Sequence, residues 1–387
     1  MSLGSNARRL AGAGLLVAAL LPAVPTAPAA APLGESDYQR VNEALVAGHV
    51  VPRYQALADA LGGLDEAAQG YCDAPAPARL APLRTAHDGA LDAWMGVQHL
   101  QFGPVELFMR SYRLYFWPQG RGKVGQAIEA LLAAADPAAL EAERFRNAST
   151  AIQGLPAAEV LLFGLGSETL PSDYRCALLV RLTGNMRAMA EEILAEWRGG
   201  EIDFARTVAE PGPDNPYFAT AQEASLAFFQ SLYTGLEMLS DVRLKPVLGA
   251  SAETARPQMV EVPRPGRSLR NIVLGLEALQ GLYGGEGAGQ GAGVGQGGAG
   301  SAPGLGALAV ASGADPELDP LLRKAFRLTL ENARGIEGPL AEAVVDAARR
   351  PALEKLQTQL TALRQILRGR LSAATGLTVG FNAMDGD

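Results

Sequence analysis

Apolar residues recur along this chain at intervals of three and four, the spacing that lines one face of an α-helix. Leu91, Trp94, Met95, Gln98 and Phe102 form one such stripe. Gly103-Pro104 interrupts it, because the residue before a proline avoids helical backbone. A second stripe begins beside Ser172 and Asp173 and runs through Cys176, Leu179, Thr183, Met186, Ala190, Ile193 and Trp197, until Gly199-Gly200 stops it. A third carries Leu226, Phe229, Tyr233 and Leu236. The last carries Leu353, Leu356, Leu360, Leu363 and Leu367, with Arg364, Arg368 and Arg370 suited to the negative end of a helix. Ala and Leu dominate, and strict alternation is hard to find. The pattern predicts an all-α protein whose amphipathic helices pack as bundles.

Two stretches break the helical text. The Pro- and Gly-rich run Glu210 to Pro216 marks an expected boundary between an N-terminal helical bundle (34–205) and a C-terminal one (206–387). Gly284 to Gly304 is mostly Gly, Ala and Gln; it can bury almost nothing, so a flexible loop inserted within the second bundle is expected. At the other end, Arg8 and Arg9 precede an apolar run from Leu10 to Val24 and small residues with Ala-x-Ala spacing. That order reads as a signal peptide over 1–31, cleaved near Ala31 or Pro32, and the run is too short to span a bilayer. An uncleaved anchor is the competing reading. No later run is long and apolar enough for a transmembrane span.

Export changes the reading of the cysteines. Cys72 and Cys176 are the two in the chain, too few and too far apart for a thiolate zinc site. In an oxidising compartment a disulfide closing a long loop is the natural expectation, against two buried thiols. The net charge of −8 argues against nucleic acid as a partner, since phosphate binding needs a basic face.

Standard catalytic signatures are missing: no Gly-x-Ser-x-Gly elbow, no P-loop, no His-Glu-x-x-His. The three histidines are His49, His87 and His99; His99, beside an apolar stripe, is read first as a hydrogen-bonded structural residue. Three segments stand out. In Trp94 to Pro104, Gln98 falls on the apolar face, where an amide must find partners, either a ligand or a neighbouring helix. Tyr112 to Pro118 clusters aromatics, Trp117 among them, around Arg113, which suits a binding site or a bridge between carbonyls. In Gly154 to Gly164, Pro156 fits the first turn of a helix and Glu159 lies near its positive end among apolar neighbours. A buried carboxylate there needs a partner or a metal, and Arg146 is the expected partner.

These segments, with Gly235-Leu236-Glu237, Arg243 to Pro246, Arg267 to Asn271 and the ending Gly380 to Asp387, resemble the imelysin family over most of the mature chain. The resemblance implies an all-helical fold of two bundle-like halves that arose by duplication, a periplasmic or cell-envelope location and an association with iron acquisition. The family's hallmark is Gly-x-His-x-x-Glu. Gly154 and Glu159 match it, but Pro156 stands at the histidine and offers no ligand atom. A metal site at Glu159, for iron or zinc, would therefore be weakened. The expected ligand-binding residues are Glu159, Gln98, Arg113, Arg146, Trp117 and His99. The favoured reading is a non-catalytic binding protein for iron or haem handling, working with envelope iron-uptake components. A metal-dependent peptidase, or an interaction protein that has lost its metal, are the alternatives.

Overall fold

The computed structural model describes Met1 and residues 32–378, apart from 119–121, 165, 169–170, 201, 263, 265 and 286–301. The expected signal peptide beyond Met1, most of the glycine-rich run and the ending from residue 379 lie outside the described residues. Every regular element among the described residues is helical. In chain order the α-helices are α1 (Glu35–Leu45), α2 (Val51–Asp73), α3 (Pro77–Val97), α4 (Arg110–Leu114), α5 (Lys123–Ala134), α6 (Ala142–Arg146), α7 (Gly154–Phe163), α8 (Asp173–Trp197) and α9 (Phe204–Ala209). They continue with α10 (Ala221–Glu237), α11 (Lys245–Leu248), α12 (Arg267–Gly284), α13 (Gly306–Ser312), α14 (Leu318–Arg334), α15 (Leu340–Ala343), α16 (Arg350–Ile366) and α17 (Ser372–Thr375).

The stripes end up where their spacing sends them. On α8, Leu179, Thr183, Met186, Ala190, Ile193 and Trp197 are buried, and on α16 so are Leu353, Leu356, Leu360 and Leu363. Each buried Leu removes enough apolar surface to favour folding by about 1.5–3 kcal/mol. Local signals set the ends. Ser172 caps α8, its hydroxyl accepting from the Arg175 N–H at 3.2 Å, and Gly199 follows in the left-handed region at φ 102°.

Helix α2 packs against both α3 and α8, with α7 against α3 and α8. Cys72 and Cys176 are bridged, with Cα atoms 5.5 Å apart, so the end of α2 is stapled to the start of α8. Helices α10, α12, α14 and α16 form a second group in which α10 and α14 each touch α12 and α16. The groups share one core, continuous from Tyr38 to Leu377.

Two features join them. Helix α3 packs against α12. The first helical run also crosses from one group to the other: α1 packs on α10, a π-helical turn over Val46–Val50 follows, and α2 enters the first group. Asn42 anchors α1, donating to the Ala221 carbonyl at 2.8 Å and accepting from the Ser225 hydroxyl at 2.6 Å. The glycine-rich excursion leaves and returns at one place, since the Leu305 N–H donates to the Leu282 carbonyl at 3.2 Å. No described helix is long and apolar enough to cross a membrane.

Candidate functional site

Helix α7 opens on Gly154, whose φ of 82° suits glycine, and a Cβ there would collide with the Arg113 and Leu114 carbonyls. The end of α4 thus abuts the start of α7. Pro156 sits in the first turn, where a missing N–H costs nothing. One turn later, Glu159 is 16% exposed.

The cation that meets Glu159 comes from the other helix group. Arg264, in the loop before α12, donates from Nε to Glu159 Oε1 at 3.2 Å and from Nη1 to Asp88 Oδ1 on α3 at 2.6 Å. Its guanidinium lies 3.8 Å from the centre of the Phe163 ring, a cation–π contact that helps offset desolvation. Burial pushes the Glu159 carboxyl above its ordinary range, against the opposing pull of Arg264 and His87. Burial also acts on Asp88, but there the nearby His87, the hydrogen bond from Arg264 and the charges of Arg264 and Arg267 outweigh it and hold its pKa at about 2. His87 is buried beside them, its Nε2 donating to the Leu155 carbonyl at 3.1 Å.

The same loop carries Glu261, and with it a second, deeper knot. Arg243 and Glu261 are both almost fully buried. Arg243 donates to Glu261 through Nε at 2.9 Å and Nη2 at 2.7 Å, and Nη2 also reaches Gln98 Oε1 at 2.8 Å. The Tyr115 hydroxyl (2.9 Å) and Asn271 Nδ2 (2.8 Å) complete the donors around Glu261. Trp117 covers the guanidinium at 5.1 Å. Such a pair is tolerated because every charge has hydrogen-bonded company.

The residues singled out from sequence therefore separate. Gln98 and Trp117 converge on Arg243, while Glu159 pairs with Arg264 rather than with Arg146. Arg113 donates from Nε to Gln153 Oε1 at 3.0 Å, and Arg146 is exposed at the end of α6. His99 is buried elsewhere, its Nε2 2.8 Å from Nε2 of His49 in the π-helical turn. Sequence reasoning missed Arg264, Asp88 and Glu261. The available signals were Arg243 to Pro246 and Arg267 to Asn271 as motifs, which bracket the loop without assigning it a partner.

The donor set around Glu159 does not suit a resident metal. The hallmark histidine position holds Pro156, and the two carboxylates that remain, Glu159 and Asp88, share a tethered guanidinium. Among the described residues no group of three or more His, Cys, Asp or Glu side chains is arranged to hold a metal ion. Chemically, the arrangement offers fixed charge and hydrogen bonds.

Comparison with known proteins places this geometry. The imelysin (peptidase M75) family model matches residues 50–367. A curated relative, the iron-regulated protein A of Synechococcus elongatus, is 26% identical over 214 residues, 55% of this chain and 54% of that protein. The match thus spans about half of the relative's length. An imelysin-like protein from Psychrobacter arcticum has a solved structure that superposes with a TM-score of 0.70 at 20% identity, covering 91% of this chain and 99% of that one. A protein from Parabacteroides distasonis, provisionally described as an iron-regulated protein A precursor, gives 0.66 at 15% identity, over 88% and 98%. At these identities the two structures establish the shared fold.

Proposed function

The chain belongs to the imelysin family, and from that we propose a non-catalytic binding protein of the cell envelope, exported to the periplasm and associated with iron or haem acquisition. The Glu159–Arg264 pair carries the non-catalytic part. A hydrolytic metal needs several protein ligands and an open position for water. Here the motif's acid is engaged by a guanidinium that is itself held by Asp88 and Phe163. The iron association is supported by the name of the Synechococcus relative and rests on that similarity. Envelope iron-uptake components are the partners this reading implies, and the signal-like N-terminus supports export.

Two measurements on one strain test it. Deletion of the gene should impair growth when iron is limiting, and excess iron should restore it. The purified protein should show no cleavage of polypeptide substrates that a chelator abolishes. Cleavage lost both with chelator and in Glu159→Ala would favour the metal-dependent peptidase instead, and unaltered iron-limited growth would remove the iron association.

A further inference from the structure

Independently of the iron reading, we infer that an open groove along the first half of α12 binds an extended apolar carboxylate, with Arg270 and Arg334 as the cations at its rim. The groove lies where helix packing runs out. Helices α12 and α14 are antiparallel. The Tyr283 hydroxyl, near the end of α12, donates to Asp319 Oδ1 at the start of α14 at 3.0 Å. Glu277, nearer the middle of α12, accepts from Arg334, the last residue of α14, at 2.7 Å. From Glu277 back to its own start, α12 runs past the end of α14, and the chain turns away through Ile336 and Gly338 toward α15. The space left there is a groove of about 590 Å³, within the range of small-molecule sites.

Its floor is one stripe of α12. Leu269, Val273 and Glu277 follow one another at every fourth position, with Leu274 beside them, and Ile336 faces them from beyond the end of α14. From Gly266 to Glu277 the stripe is roughly 16 Å long at the rise of an α-helix. Val273 and Leu274 are half-buried, so apolar surface that an apolar chain can cover is left in water. Nothing stands within 4 Å of where a Gly266 Cβ would be, which keeps that end of the groove open.

The rim supplies the charge. Three guanidiniums in this chain each meet two carboxylates: Arg110 meets Glu192 and Glu196, Arg264 meets Glu159 and Asp88, and Arg364 meets Glu237 and Asp241. The two that line the groove meet one each, Arg334 with Glu277 and Arg270 with Asp92. Among the described residues Arg334 donates through Nη2 alone, and Arg270 through Nε and Nη2. Each therefore keeps N–H donors for a second carboxylate, and a guanidinium fork suits that group in geometry and charge. Both side chains are partly exposed, at 39% and 55%, so a ligand reaches them from solvent.

Calorimetric titration of the full chain with octanoate, below its micellar concentration and at constant ionic strength, tests this. Saturable one-site binding is expected. The alcohol 1-octanol has the same chain without the charge, and it should bind about ten-fold more weakly. Arg334→Gln and Arg270→Gln should both weaken octanoate binding, the larger loss being about ten-fold or more and marking the guanidinium that holds the carboxylate. Leu274→Asp should abolish it, while Arg79→Gln, at an exposed position near the start of α3, should leave it unchanged. Should Leu274→Asp fail to fold, the two exposed arginine variants decide the matter. No saturable heat, equal affinity for octanol, unchanged binding in both groove arginine variants, or an equal loss in Arg79→Gln overturns the proposal.

Discussion

Arg264 reaches Glu159 across the boundary between the two helix groups, Nε to Oε1 at 3.2 Å, although 105 residues separate them in sequence. The pair gives the hallmark's acid a positive partner from within the chain. Because the same guanidinium also holds Asp88 at 2.6 Å and stacks on Phe163, it is fixed from three sides. The loop that carries it also carries Glu261, so one short segment supplies both charged knots.

The Arg243–Glu261 pair predicts asymmetric losses. Removing one partner strands a buried charge, so Arg243→Met and Glu261→Gln should each cost about 3–5 kcal/mol of stability. The double variant should cost clearly less than their sum, because both charges leave together. Denaturant unfolding of the three variants measures this. Additive losses would show that the two side chains do not act as a pair.

Backbone geometry at Gly154 gives a second expectation. Gly154→Ala must hold a left-handed φ of 82° and push a methyl group into the Arg113 and Leu114 carbonyls. A loss of about 1–3 kcal/mol is expected, with a lower melting temperature. An unchanged melting temperature would mean that α4 and α7 can separate without cost.

The buried histidines make stability depend on pH. The pKa values of His49 and His99 are held well below 6.5, first by burial and then by Arg53. Arg53 Nε donates to His49 Nδ1 at 3.3 Å, so His49 donates from Nε2 to His99. Between pH 6.5 and the lower folded values, the unfolded chain binds protons that the folded one refuses. Stability should therefore fall as pH drops below about 6.5, by up to about 2.7 kcal/mol per pH unit for two such groups. Melting temperatures from pH 7.5 to 5 should drop less steeply in His49→Gln than in the wild type. Parallel curves would assign the acid sensitivity to other groups.

Much of the fold was legible. The stripes on α8 and α16 are buried as their spacing requires, and Ser172, Gly199 and Pro156 act as the end signals they resemble. The Cys72–Cys176 bridge matches the expectation for two cysteines in a chain whose start reads as an export signal. The site was less legible, for a physical reason. Glu159 announces that it needs a partner, but nothing local distinguishes Arg146, thirteen positions away, from Arg264. That choice is made by the packing of α3 against α12, which brings the loop before α12 onto α7. Gln98 was recognisable as a buried amide, yet its partner Arg243 lies 145 positions on. The crossing of α1 onto α10 left no mark in periodicity, because both possible neighbours present an apolar face.

The claim that a tethered guanidinium takes the cation's place beside Glu159 is tested most directly by calorimetric titration with zinc and with ferrous iron. The wild type should bind either weakly. Arg264→Met keeps a side chain over Phe163 but frees both carboxylates, and combined with Pro156→His it restores the hallmark's imidazole. That double variant should bind at least one of the two metals more than about ten-fold tighter, a gain of about 1.4 kcal/mol or more. Tight binding by the wild type that disappears in Glu159→Ala would contradict the account.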